Sequence, residues 1–121
     1  MPRTLTVTGY GEQQMEYVDM TSIEGRGPAW GTATGDLNAT LLVWAAGEGQ
    51  PRHVNEERDV LLVVIAGSGI VTVAAEATAA SAGTLVVIPR GAPREVTAGT
   101  EGMRCLTVHK RRGGLTIRSP E

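Results

Sequence analysis

The sequence predicts a single all-β domain, and three observations support this. The 121 residues fit one domain, and a chain of this length can bury its own core. Short apolar runs alternate with glycine and proline, and helical periodicity is hard to find. The 16 glycines, set against two tryptophans, two tyrosines and no phenylalanine, indicate tight turns around an aliphatic core. We expect one domain over residues 1–121, with its core at about 30–110.

The first predicted strands are apolar runs that end at glycine. Leu37 to Trp44 is one such run, and it stops before Gly47. Val60 to Ala66 is the next, and Ile70 to Val73 follows it after Gly67-Ser68-Gly69. The three intervening residues are typical of a turn, so this pair is predicted to form a hairpin.

The second half of the chain continues the same pattern. The alanine-rich stretch 74–82 could be a helix by propensity, but its neighbours are strands, so we interpret it as a second short hairpin. Further strands are predicted at 84–88, 94–97 and 103–110. A final short strand is predicted at 115–117, after a Gly-Gly turn.

Composition excludes several functional classes. The net charge is -2, and the only basic run, Lys110 to Arg112, is too short and lacks the aromatics of a nucleic-acid surface. The longest apolar run is strand-sized and could not span a membrane. The N-terminus lacks the apolar region of a secretory signal, so we expect a cytoplasmic protein. Cys105 is the sole cysteine and is predicted to be a small buried hydrophobe.

Two segments resemble the conserved motifs of the cupins. The first contains Gly47, five residues, His53, Val54 and Asn55, and continues through Asp59 to Gly67. The second contains Gly83, five residues, Pro89, Arg90, Gly91, two residues and Arg94, and only its closing histidine is missing. The resemblance covers about residues 30–110 and implies an antiparallel jelly-roll β-barrel, commonly a homodimer.

The resemblance also implies a metal site, which this chain has largely lost. Cupins that bind a transition metal use three histidines and a glutamate. Carried over position by position, these ligands become His53, Asn55, Val60 and Arg94. One ligand in four survives, so we expect no tightly bound transition metal and no cofactor.

An atypical metal site is the alternative. It would combine His53 with His109, which shares a strand face with Met103, Cys105 and Thr107. Glu57 or Asp59 would supply a carboxylate, the latter if the strand carries a bulge. Such a site would hold a divalent transition metal.

The pocket could bind an anion in place of a metal ion. Arg94 stands where the family places a histidine that enters the pocket, and its guanidinium would attract a carboxylate or phosphate. It could instead pair with Glu56, Glu57 or Asp59. His53 and Asn55 share its pocket by resemblance, with His53 as a candidate general base or a hydrogen-bonded neutral histidine. Trp44 either walls the pocket or packs in the core.

Three functions therefore remain open. The first is a small-molecule-binding protein for an anionic ligand, or a lyase, isomerase or cyclase that needs no metal. The second is a metal-dependent enzyme of dioxygenase or epimerase type, with an atypical ligand set. The third is a structural or interaction protein whose pocket has no chemistry. Fold alone cannot choose among them. The partners we expect are an anionic small molecule and a second copy of the chain, with no nucleic acid and no membrane.

Overall fold

The computed structural model describes residues 4–8 and 14–111, with side chains from residue 15 onward, and these residues form strands and no helix. Nine strands follow one another: β1 (Thr4–Thr8), β2 (Gln14–Val18), β3 (Gly27–Ala33), β4 (Leu37–Trp44), β5 (Gly49–Val54), β6 (Val60–Val73), β7 (Glu76–Ser81), β8 (Leu85–Ile88) and β9 (Pro93–Lys110). No helix long and apolar enough to cross a membrane occurs in this part of the chain. The all-β prediction is confirmed.

Two long strands organise the fold. The first half of β6 pairs with β8 and with the end of β9, and its second half pairs with β7 and with the beginning of β9. β4 and then β3 extend the sheet beside the end of β9, whereas β5 pairs with its beginning. All of these pairings are antiparallel. We call the β3-β4-β9-β6-β8 half sheet 1 and the β5-β9-β6-β7 half sheet 2.

The two sheets join at a corner rich in glycine. The β6–β9 register shifts between Val64 and Ala66 and again between Gly67 and Gly69. A Cβ atom on Gly67 would lie 2.1 Å from the carbonyl oxygen of Gly102, and one on Gly69 would lie 2.4 Å from that of Thr97. Only glycine allows the two backbones to approach this closely. The glycines therefore bend two paired strands together.

The predicted hairpin at Gly67-Ser68-Gly69 is wrong for this reason. β6 continues through these residues as one strand of 14 residues instead of reversing. The strands predicted at 94–97 and 103–110 are likewise two parts of β9, joined through a bulged segment. The first predicted strand, Leu37–Trp44, is confirmed at both ends. The one predicted at 115–117 lies outside the described residues.

The core lies between the sheets, and strand alternation determines its members. On β6, Val60, Leu62 and Val64 are each 1% exposed, whereas Leu61 between them is 41% exposed. On β9, Met103, Cys105 and Thr107 are buried on the same side, as expected. Burial raises the pKa of the Cys105 thiol to about 12, so the thiol is neutral and inert. The inward faces of β6 and β9 were thus predictable from period-2 alternation.

Candidate functional site

The candidate site lies at the end of the sandwich opposite the glycine corner, which we call the mouth. There β5 ends and β9 begins, at the pairs His53–Arg94 and Val54–Pro93. In sheet 1, Val60 is paired with His109 at the corresponding end. Two loops connect the sheets here, residues 55–59 and 89–92, and the Gly91 amide donates to the Asn55 carbonyl at 2.7 Å. The residues at the four ligand positions of the two sequence motifs, His53, Asn55, Val60 and Arg94, thus lie at one end of the fold.

Arg94 is the unusual residue of the mouth. Its exposure is 9%, and it follows the inward alternation of Val96 and Ala98 along β9. The Nη1 atom is fully buried and has no hydrogen-bond partner among residues 15–111. Burial lowers the pKa of the guanidinium, yet an arginine pKa is so high that the group stays charged at neutral pH. Arg94 is therefore a buried cation with a donor that is not satisfied.

The acidic residues of the 55–59 loop form no salt bridge with Arg94. No carboxylate of the described residues forms a salt bridge with it. Glu57 instead lies 3.6 Å from the Arg58 guanidinium. Asp59 accepts a hydrogen bond from the Arg90 amide at 2.9 Å, which secures the loop between β8 and β9. The alternative in which an acidic neighbour pairs with Arg94 finds no support in these contacts.

His53 lies directly opposite Arg94 across the β5–β9 pair. Residues opposite each other in an antiparallel pair project from the same face of the sheet, so the imidazole and the guanidinium share a face. β5 forms the edge of sheet 2, and His53 is exposed there. The histidine therefore lies at the exposed edge of the sheet, across the strand pair from Arg94.

Asn55 serves the turn that follows β5. Its Oδ1 accepts hydrogen bonds from the amides of Glu57 at 3.0 Å and Arg58 at 3.2 Å. This is the local geometry by which asparagine stabilises a turn. The side chain fixes the path of the loop beside the mouth, and its amide oxygen is committed to that role.

Trp44 lies away from the mouth. It is opposite Met103, next to the glycine corner, and belongs to the buried core cluster with 9% exposure. Of the two roles considered for it, the structure places it in the core. The topology does not bring it to His53 or Arg94.

A cleft of about 500 Å³ lies at the end of sheet 1, and it gathers the remaining candidates. His109, Glu57 and Asp59 all contribute to its lining, with neither His53 nor Arg94 among the lining residues. Arg58 also lines it; its side chain is 13% exposed and its Nε is buried without a partner. Sequence reasoning missed Arg58. The available signal was its position two residues before inward-facing Val60, which predicts the same orientation.

The residues present do not fit the metal of the family. His53, Asn55, Val60 and Arg94 occupy the four ligand positions, and they offer one imidazole, an amide bound to two backbone N–H groups, a buried alkyl group and a cation. Transition metals need three or four deprotonated donors. Across residues 15–111, no three His, Cys, Asp or Glu side chains are grouped closely enough to hold a metal ion, and that includes the set of His53, His109, Glu57 and Asp59.

Comparison with solved structures identifies the fold. KdgF from Halomonas sp. is 22% identical, with a TM-score of 0.65 over 72% of this chain and 81% of that one. TT1209 from Thermus thermophilus is 22% identical, with a TM-score of 0.72 over 82% of this chain and 100% of that one. The Schizosaccharomyces pombe Cnp3 cupin domain is 17% identical, with a TM-score of 0.70 over 92% of this chain and 84% of that one.

The sequence itself carries a family signature. No curated protein matches the chain. The family model described as "Cupin domain" matches residues 40–109, more than half of the chain, and this range contains both motifs and the mouth. The structural neighbours share the corresponding fold. The chain belongs to the cupin family.

Proposed function

We propose that this cupin binds a small anionic molecule at the mouth, with Arg94 as the fixed cation and without a metal ion. The observation that carries the proposal is the buried Nη1 atom of Arg94, which has no partner among the described residues. A buried charge without a counter-charge costs several kcal/mol, by order of magnitude. A carboxylate or phosphate supplies both the missing charge and the missing acceptor.

The surroundings of Arg94 suit this role. Its strand neighbours are apolar, since Val73 lies opposite it on β6 and Val96 is the next inward-facing residue on β9. A charge-assisted hydrogen bond is stronger in such surroundings than in water. His53, opposite Arg94 and exposed, marks the side from which the anion approaches. The ligand is therefore small or has a narrow anionic end.

His53 and Arg94 together could also catalyse proton transfer next to a bound anion. Imidazole is the side chain best suited to exchange protons near neutral pH. A fixed guanidinium stabilises negative charge that develops on a substrate oxygen. The lyase, isomerase or cyclase form of the proposal therefore assigns the general base to His53 and the charge stabilisation to Arg94.

The proposal is tested by thermal shift and calorimetry with acetate, succinate, benzoate and inorganic phosphate at constant ionic strength. Arg94→Lys keeps the charge and loses the two-pronged geometry, so it should weaken binding of the best anion. Arg94→Ala should weaken it further, by about 2 kcal/mol or more, roughly thirtyfold in Kd. Arg52, which is exposed on β5 next to His53, provides the matched control Arg52→Ala, which should bind like the unmodified protein.

Two results would refute the proposal. One is the absence of any saturable stabilisation by these anions. The other is an equal loss of binding in Arg52→Ala and Arg94→Ala, which would indicate general charge attraction. A full equivalent of bound transition metal that is lost in His53→Ala would instead support the metal-dependent alternative.

We also propose that the chain forms a homodimer through the part of the outer face of sheet 1 centred on Val63 and Leu85, with Leu61 and Val108 outside the interface at its margin. Val63 on β6 lies opposite both Leu85 on β8 and Leu106 on β9, which gives an apolar row across three strands. Leu85 and the neighbouring Val87 are 55% and 59% exposed. In a two-fold symmetric dimer, the same patch of each subunit contacts its counterpart on the other subunit. An apolar patch therefore brings no like charges together. Apolar surface of this kind is typical of an interface between subunits.

A further inference from the structure

The cleft at the end of sheet 1 combines an apolar wall with a group of cations. It has a volume of about 500 Å³, which lies in the range of small-molecule sites. It is formed where β4 begins, β9 ends and β6 begins, together with the loops 55–59 and 89–92. The cleft adjoins the mouth through these two loops, but neither Arg94 nor His53 lines it, so its binding residues differ from those of the site proposed above.

Three aliphatic side chains make up the apolar wall. Leu61 and Val108 lie opposite each other across the β6–β9 pair, and Leu37 lies next to them at the start of β4. Leu37 is 51% exposed and Leu61 41% exposed. The wall thus leaves apolar surface in water that a ligand would cover, and covering it is favourable in proportion to its area.

Arg58, Arg90 and Lys110 provide the positive charge. The two carboxylates of the cleft are already engaged, Glu57 with the Arg58 guanidinium and Asp59 with the Arg90 backbone amide. In the part of the chain that the structure describes, neither Arg90 nor Lys110 forms a salt bridge.

The buried Nε of Arg58 provides an independent sign of a ligand. It has no acceptor among the described residues although the side chain is only 13% exposed. The Asn55 turn fixes the backbone at Arg58, since Asn55 Oδ1 accepts from the Arg58 amide at 3.2 Å. The guanidinium is therefore anchored beside the cleft with hydrogen-bonding capacity left over, which an anionic oxygen would use.

We infer that this cleft is a second binding site, for an amphipathic anion. Its ligand carries a carboxylate or phosphate that faces Arg58, Arg90 and Lys110, and an acyl or aromatic body that lies along Leu37, Leu61 and Val108. Neither half of the cleft suffices alone: an inorganic anion leaves the apolar wall in water, and a neutral hydrocarbon leaves Arg90 and Lys110 without a salt bridge to the described residues. The inference is independent of the proposal for Arg94.

The test uses the full chain with octanoate, acetate, octyl phosphate and 1-octanol as probes. Methyl NMR reports the location, and calorimetry reports the affinity. Octanoate or octyl phosphate should shift the methyl signals of Leu61 and Val108, whereas acetate and 1-octanol should bind at least tenfold more weakly. The preferred one of the two anions identifies the headgroup as carboxylate or phosphate.

Variants distinguish the cleft from the mouth and from other apolar surface. Arg90→Gln combined with Lys110→Gln should weaken binding at least tenfold, and both residues are exposed, so the fold should be retained. Arg52→Gln is the matched control and Arg94→Met tests the mouth; both should leave cleft binding unchanged. Loss of octanoate binding in Arg94→Met alone would overturn the inference while supporting the mouth. Equal binding of octanoate and 1-octanol, or shifts confined to Leu85 and Val87, would also overturn it.

Discussion

Replacing Arg94 by methionine should make the free protein more stable. The substitution removes a guanidinium whose Nη1 is buried without a partner, and it keeps an unbranched side chain that fills similar space. An unsatisfied buried donor costs about 1–3 kcal/mol, and exchanging a buried ion for an apolar residue often stabilises by about 1–4 kcal/mol. We expect the free energy of unfolding of Arg94→Met to rise by about 1–3 kcal/mol in the absence of ligand.

Urea unfolding at neutral pH in a buffer without carboxylate or phosphate measures this change. The midpoint should rise while the slope with denaturant stays constant, since the surface exposed on unfolding is nearly the same. Arg52→Met makes the same exchange at an exposed position of β5 and should stay within about 0.5 kcal/mol of the unmodified protein. A loss of more than about 1 kcal/mol in Arg94→Met would refute the reasoning, because Arg94 would then hold the fold together.

Three further predictions concern the corner, the core thiol and the outer face. Gly69→Ala should lower the free energy of unfolding by about 3 kcal/mol or more in the same urea assay, because its Cβ would meet the Thr97 carbonyl. Gly35→Ala is the control, since a Cβ there has nothing within 4 Å and the backbone is not left-handed, and it should change stability by less than about 1 kcal/mol. Cys105, whose pKa is raised to about 12, should react with a thiol reagent at pH 8 only at the rate of unfolding, and fast reaction in the native state would contradict this. The free energy of unfolding should also fall as the pH rises from about 9 toward 12, because the thiol ionises at a lower pH in the unfolded chain than in the folded one. Val87→Glu should convert the proposed homodimer to a monomer, as measured by light scattering, whereas Ile70→Glu should leave the dimer intact, because Ile70 is 45% exposed on sheet 2. A monomeric unmodified protein at micromolar concentration would contradict the interface.

The glycine and proline skeleton made most of the fold predictable. The spacing from Gly47 to His53 and from Gly83 through Pro89 to Arg94 depends on backbone geometry, and it persists here although three of four ligand positions have changed. Alternation on β6 and β9 then identified the inward side chains. Orientation and family were therefore available from sequence because they follow from local constraints.

The continuity of the long strands was not predictable in this way. Gly67-Ser68-Gly69 has the composition of a turn, and only the approach of Gly102 to Gly67 shows that glycine is needed there for a close backbone crossing. That crossing involves residues 35 positions apart, which no local pattern encodes. Strands that were predicted as pairs are accordingly single strands that bend.

The site was partly predictable. The position of Arg94 inside the fold followed from the second motif. The absence of a salt-bridge partner could not be predicted, because it depends on the side-chain orientations of Glu56, Glu57 and Asp59 in another loop. Asn55 illustrates the same limit, since its amide oxygen is used by the backbone of Glu57 and Arg58. Arg58 escaped notice because a charged loop residue before a strand is usually solvated.

The most direct test of the account is an NMR titration of the arginine side chains in protein labelled with ¹⁵N-arginine. Arg94 signals, assigned by their absence in Arg94→Lys, would be followed while the best anion among acetate, succinate, benzoate and phosphate is added at constant ionic strength. We predict a saturable change in the chemical shifts of the Arg94 side chain, with the same Kd that calorimetry gives, and no change in the Arg52 signals. Saturable binding that leaves the Arg94 signals in place would contradict it.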